Sequence, residues 1–96
     1  MQFMIQCFDK PSSLELRMKT RERHLAHVDA SDMKILIAGP MLSDSGQPIG
    51  SLFLVEADDV AAARRFVEAD PYQLAGLFAR VDIKGFRTVF PRSAAS

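Results

Sequence analysis

His24 and His27 are the two side chains in this sequence whose ordinary pKa lets them take and return a proton near neutral pH. His24 has cationic company. Arg17, Arg21 and His24 recur at i, i+4 and i+7, which makes one stripe if the segment is helical. Such a stripe could hold an anionic ligand by charge-assisted hydrogen bonds while the imidazole moves a proton. That chemistry also needs a carboxylate on the other imidazole nitrogen, to fix the tautomer and stabilise the imidazolium. Asp70, in the run Asp70-Pro71-Tyr72, is the candidate. Each residue also has a plainer reading. Arginine stems can lie over a core with their heads on Asp or Glu, and His24 can be a packed residue at the core margin. Asp70 can simply cap a short helix that Pro71 begins.

Other site patterns are missing. His24 and His27 lie at i, i+3 with no Cys or Glu to complete a zinc signature, so no metal is expected. His27 is turned outward and reads as solvated. Cys7 lacks a C-x-x-C partner and sits in an apolar run, where packing is its expected role. No glycine-rich phosphate loop follows a strand. The segment from Lys84 to Phe90 only faintly resembles an RNA-binding signature, with Arg87 and Thr88 at its small and aromatic positions.

The elements that must position these residues follow from pattern. Phe3 to Phe8 reads as a strand, closed by Asp9-Lys10-Pro11. Ser12 with Glu15 suggests a capping box for a helix from Leu14 to about Ala30. The inward face of that helix is expected at Leu14, Met18, Leu25 and Val28. Arg21 falls within that arc, and Arg17 and His24 on its edge, roughly 60–80° from the Leu14 direction. Met33 to Ala38 reads as a second strand stopped by Gly39-Pro40, which could shape a pocket mouth. Ile49 to Glu56 is a third strand. Asp58 and Asp59 open a second helix with Val60, Ala63, Phe66 and Val67 inward. A short turn from Pro71 to Leu77 precedes a last strand, Val81 to Phe90, with Gly85 a bend or bulge. The order is β-α-β-β-α-β, a ferredoxin-like α+β fold with both helices on one face of a four-stranded antiparallel sheet. Residues 1–90 make the domain and 91–96 a C-terminal tail.

The chain has 96 residues, 48% hydrophobic and 25% charged, which is globular usage. Twelve basic and twelve acidic side chains cancel, so nucleic acid is not an expected partner. No run is long enough to span a bilayer, no basic-then-apolar leader opens the chain, and one cysteine suits a reducing compartment. A cytoplasmic protein is expected. On the first three strands both faces are apolar: Phe3, Ile5 and Cys7 alternate with Met4 and Phe8, Ile35 and Ile37 with Leu36 and Ala38, and Phe53 and Val55 with Leu52 and Leu54. Two helices cover one face only, so a homodimer packed through the sheet is expected.

Taken in order, Arg17 with Arg23-His24-Leu25, Ala38-Gly39-Pro40, Ala69-Asp70-Pro71-Tyr72 with Ala75-Gly76, and the closing strand resemble the YciI-like (YCII-related) family. The resemblance implies a dimeric α+β barrel and a pocket holding a histidine and an aspartate, matching His24 and Asp70. It also implies acid–base chemistry without a cofactor on a small aromatic or lactone substrate, as elimination or isomerisation. Arg17, Arg21, Gly39, Pro40 and Tyr72 would then contact the substrate. The alternative is a dimeric module that binds a small ligand without changing it.

Overall fold

The computed structural model describes residues 1–92, so residues 93–96 of the expected tail lie outside the described residues. The elements run β1 (Gln2–Asp9), α1 (Leu14–Ala30), β2 (Lys34–Leu42), β3 (Pro48–Glu56), α2 (Val60–Glu68), α3 (Pro71–Leu74) and β4 (Phe78–Phe86). They build one antiparallel sheet in the order β2-β3-β1-β4, the expected ferredoxin-like α+β arrangement. The alternation in β1 places Phe3, Ile5 and Cys7 inward, where they meet Phe53 and Val55 of β3 and Phe66 and Val67 of α2. Burial pushes the Cys7 thiol up to about 12, which leaves it a neutral packing group.

Several boundaries move, each for a local reason. Strand β2 runs on through Gly39 and Pro40, which pair with Leu52 and Ser51, rather than stopping there. It is an edge strand, and proline is tolerated where the ladder needs no second donor. Ser12 does not form a capping box. It has φ 58, a left-handed turn leading into the helix, and the cap residue is Ser13, whose hydroxyl donates to the Pro11 carbonyl. Strand β4 ends at Phe86 instead of Phe90. The ladder passes Gly85 without a bulge, and the irregularity of this pair falls at Phe8/Asp9.

The largest correction concerns α1. Its buried side chains are Arg17, Thr20 and His24, whereas Leu14, Met18 and Leu25 are 40%, 56% and 40% exposed. The polar side chains turn inward because partners wait for them. Asp9 meets Arg17, Asp70 meets His24, and the Thr20 hydroxyl donates to the Leu16 carbonyl at 2.8 Å. A buried charge paired in this way escapes most of the desolvation cost that would otherwise keep it at the surface. Leu16 and Val28 supply the apolar contact of this helix with the core.

On the far face of the sheet, Met4, Leu54 and Ile37 lie across from one another, with Ile37 60% exposed. Strand β4 adds Arg80, Asp82 and Lys84 to that face, opposite Phe8, Gln6 and Met4. The face expected to be apolar is therefore half polar on β1, where Gln2 and Gln6 alternate with Met4 and Phe8. It is apolar at Leu52 and Leu54 of β3 and Ile37 of β2, and charged along β4.

Candidate active site

The site is assembled from the inner face of α1, the end of β1, the middle of β2 and β3, and the start of α3. Helix α3 is placed by its two ends. At its start the Asp70 carboxylate accepts from the Tyr72 backbone N–H at 2.9 Å, the expected N-cap. At its end Gly76 adopts φ 78, and the Leu77 N–H returns to the Tyr72 carbonyl at 3.0 Å. Both Asp70 and Tyr72 are 1% exposed.

Asp70 is also the carboxylate beside His24, so one side chain both caps α3 and meets the imidazole. His24 Nδ1 lies 2.9 and 3.0 Å from the two carboxylate oxygens. A carboxylate only accepts, so Nδ1 carries the proton and donates. Nε2 is therefore the nitrogen without a proton in the neutral ring. It makes no hydrogen bond among the described residues, and no sealed side-chain N or O there lacks a partner, so Nε2 opens onto the cavity that His24 lines. The imidazole is held flat against Tyr72, ring centroids 4.1 Å apart and planes 13° from parallel. Packing and hydrogen bonding both fix its orientation.

Arg17 turns out to be a strut more than a free cation. Its Nε donates to Asp9 Oδ2 at 2.7 Å, and its Nη2 donates to Asp9 Oδ1 at 2.9 Å and to Ser51 Oγ at 2.8 Å. Burial works against its charge, but hydrogen bonding and attraction to Asp9 outweigh this and hold the guanidinium above its ordinary pKa. Its two remaining protons are on Nη1, and the Tyr72 hydroxyl is also within reach of the guanidinium and supports its charge. Arg21 is exposed at the rim rather than embedded in an apolar arc. His27, expected in solvent, is half-buried against the Phe66 ring, its Nε2 3.1 Å from the Phe66 carbonyl.

The cavity has a volume of about 170 Å³. Arg17, Arg21, His24, Gly39, Pro40 and Tyr72 line it, and Asp70 stands behind His24. Its apolar wall comes from Phe53, Pro48, Met18, Leu25 and Val28, with Ser51 beside Arg17. Sequence reasoning missed Asp9, Ser51 and Phe53. Asp9 carries the inward phase of Phe3, Ile5 and Cys7, a signal that would have pointed it at α1. A pocket of this size, apolar with a few convergent polar groups, suits a single substituted ring.

Among known proteins, the model of the YCII-related domain matches residues 1–87. Protein YciI of Escherichia coli is 37% identical over 98 residues, covering 94% of this chain and 100% of its own length. Among solved structures, this chain is similar to the 5-chloro-2-hydroxyhydroquinone dehydrochlorinase TftG of Burkholderia phenoliruptrix AC1100, determined in complex with 2,5-dihydroxybenzoquinone. That match has a TM-score of 0.83 and 34% identity and covers 91% of this chain and 94% of TftG. An antibiotic biosynthesis monooxygenase, at TM-score 0.56 and 13% identity over 92% of this chain and 97% of its own, shares the fold alone. From the family match over residues 1–87 and the near full-length identity to YciI, this chain belongs to the YCII-related family.

Proposed function

We propose that this chain is a small-molecule enzyme in which His24 is the general base and acid, acting on a small ring substrate that carries a phenolic or lactone oxygen. One observation carries the reading. His24 is clamped through Nδ1 to both oxygens of a buried carboxylate, which leaves Nε2 facing an apolar cavity. In the first step a proton passes from a substrate O–H or C–H to Nε2, and its electron pair stays on the substrate. In an elimination that pair forms a new double bond and a leaving group departs with its bonding electrons. In an isomerisation the imidazolium returns the proton to a different carbon. Asp70 stabilises the imidazolium in either case. The Nη1 edge of Arg17 and the exposed Arg21 attract the oxyanion. The imidazole supplies both base and acid, so the reaction calls for no metal or organic cofactor. The likeness to TftG, a dehydrochlorinase, supports elimination over isomerisation.

The test is a panel of phenols and lactones, including 5-chloro-2-hydroxyhydroquinone, followed by thermal shift and by product analysis. At least one compound is expected to stabilise the protein and be converted, and His24→Ala is expected to keep the binding and lose the conversion. Saturable binding with no product from any compound would favour the non-catalytic module instead.

We further propose that the chain works as a homodimer through the far face of the sheet. Support comes from the far face of the sheet, where Met4 and Leu52 are part-exposed and Ile37 is 60% exposed, away from the core on the inner side. Contiguous patches of this kind are rarely left to water.

A further inference from the structure

Tyr72 is the cavity residue whose chemistry the reading above leaves unused. Its ring has a neighbour on each side. The Arg17 guanidinium carbon lies 4.6 Å from its centroid, and the His24 ring is stacked on it at 4.1 Å. Phenylalanine would fill that slot equally well, so packing does not account for the hydroxyl. Buried tyrosine hydroxyls ordinarily find a partner. This one has the Arg17 guanidinium within reach, and because a guanidinium only donates, the Tyr72 O–H proton itself has no acceptor among the described residues. Tyr72 is 1% exposed and lines the cavity. An almost wholly buried side chain thus keeps an uncommitted O–H proton in the wall of the space where a substrate would sit.

We propose that Tyr72 is a second catalytic residue, whose hydroxyl donates a hydrogen bond to the substrate oxygen that gathers negative charge as His24 Nε2 takes the proton. The inference rests on the proton chemistry proposed for His24 and deepens it. The two rings are stacked on one another and both line the same cavity. A substrate ring giving its proton to one can therefore present an oxygen to the other. No proton leaves the tyrosine. The substrate's proton goes to Nε2, its electron pair stays on the substrate, and the phenol O–H stabilises that charge within the largely apolar wall of the cavity. Burial raises the Tyr72 pKa, with Asp70 and Asp9 adding to it, while Arg17 and Arg21 pull the other way; the net direction is upward. The group is thus a protonated donor throughout the neutral range. Donation to an anion is worth more than donation to a neutral acceptor, so the hydroxyl discriminates in favour of phenolate-like and enolate-like states.

The test exploits composition. Tyr72 is the single tyrosine in a chain without tryptophan, so tyrosine labelled with 13C at Cζ gives one resonance that reports this phenol alone. The probe is 4-nitrophenolate, an anionic ring of suitable size whose visible absorbance reports binding, with nitrobenzene as its neutral counterpart. Tyr72→Phe is expected to weaken 4-nitrophenolate binding by roughly tenfold or more. Nitrobenzene affinity and melting temperature should stay the same, because the stack on His24 is kept. Saturating wild type with 4-nitrophenolate should move the Cζ titration to higher pH. On a converted substrate, Tyr72→Phe should lower kcat by about a hundredfold with little change in KM. Equal binding of 4-nitrophenolate by wild type and Tyr72→Phe, an unmoved Cζ titration, or no binding by wild type would each overturn the proposal. Conversion that survives in His24→Ala would instead overturn the base assignment, and an intact Tyr72→Phe binding defect in that case would leave the oxyanion site standing.

Discussion

At the scale of the residue, Asp70 holds two positions in one. Its carboxylate caps α3 through the Tyr72 N–H and orients His24 through Nδ1. Two substitutions separate these tasks. Asparagine caps a helix about as well as aspartate, so Asp70→Asn should keep the fold within about 1 kcal/mol of wild type. It carries no charge to balance an imidazolium, however, and can present its amide to Nδ1 and favour the wrong tautomer. Conversion should therefore fall by about a hundredfold or more. Asp70→Ala should lose both stability and activity. Chemical denaturation and steady-state rates on the same two variants check this. An active Asp70→Asn protein would reduce the residue to a cap. His24 and Asp70 were legible as a pair through the family resemblance, since each alone also reads as a packing or capping residue. Spacing did not show their meeting, since 46 residues separate them and only the packing of α3 against α1 brings them within 2.9 Å.

At the scale of the element, α1 shows where reading a sequence by hydrophobic phase goes astray. Leu14, Met18, Leu25 and Val28 mark an apolar arc, yet the helix rolls so that Arg17, Thr20 and His24 face the sheet. Periodicity counts apolar side chains and cannot see that the sheet holds Asp9 and Ser51 ready for a guanidinium. Part of the apolar arc lines the mouth of the cavity instead, and function uses it there. Strand assignments were more legible, because β1 and β3 carry nearly uninterrupted runs of large apolar side chains. Gly39-Pro40 misled because an edge strand can absorb both residues. The Asp9–Arg17 pair, each side chain 5% exposed, ties β1 to α1. Asp9→Asn should leave Arg17 buried without its counter-charge, at a cost of about 3–5 kcal/mol in unfolding free energy by urea titration. A change under 1 kcal/mol would mean that the pair is not what orients this helix.

At the scale of the whole molecule, two expectations concern the sheet. Its inner side carries Cys7, whose folded pKa of about 12 lies above the ordinary value of 9.0. The unfolded chain therefore releases this proton first as pH rises. The stability contributed by the buried thiol is complete below about pH 9 and declines from there toward pH 12. Cys7→Ala should flatten that decline in urea titrations run across the same range, and an unchanged slope would argue against a sealed thiol. The outer side bears on assembly. Light scattering on the eluting protein should give twice the 10.7 kDa chain mass. Ile37→Lys, on the exposed apolar patch, should give a folded protomer of single mass. A wild-type protomer at micromolar concentration would contradict the sheet-to-sheet pairing. The apolar half of that face was legible in β1 and β3. The charged rim of Arg80, Asp82 and Lys84 emerged only once the register of β4 against β1 was known.

These scales meet in one claim, that His24 Nε2 moves protons on a ring bound in the cavity beneath α1. The direct measurement is product formation by wild type and His24→Ala across the phenol and lactone panel, with binding of each compound followed in parallel by thermal shift. The account predicts a compound that stabilises both proteins and is converted by wild type alone. A folded His24→Ala protein that forms product at the wild-type rate would contradict it.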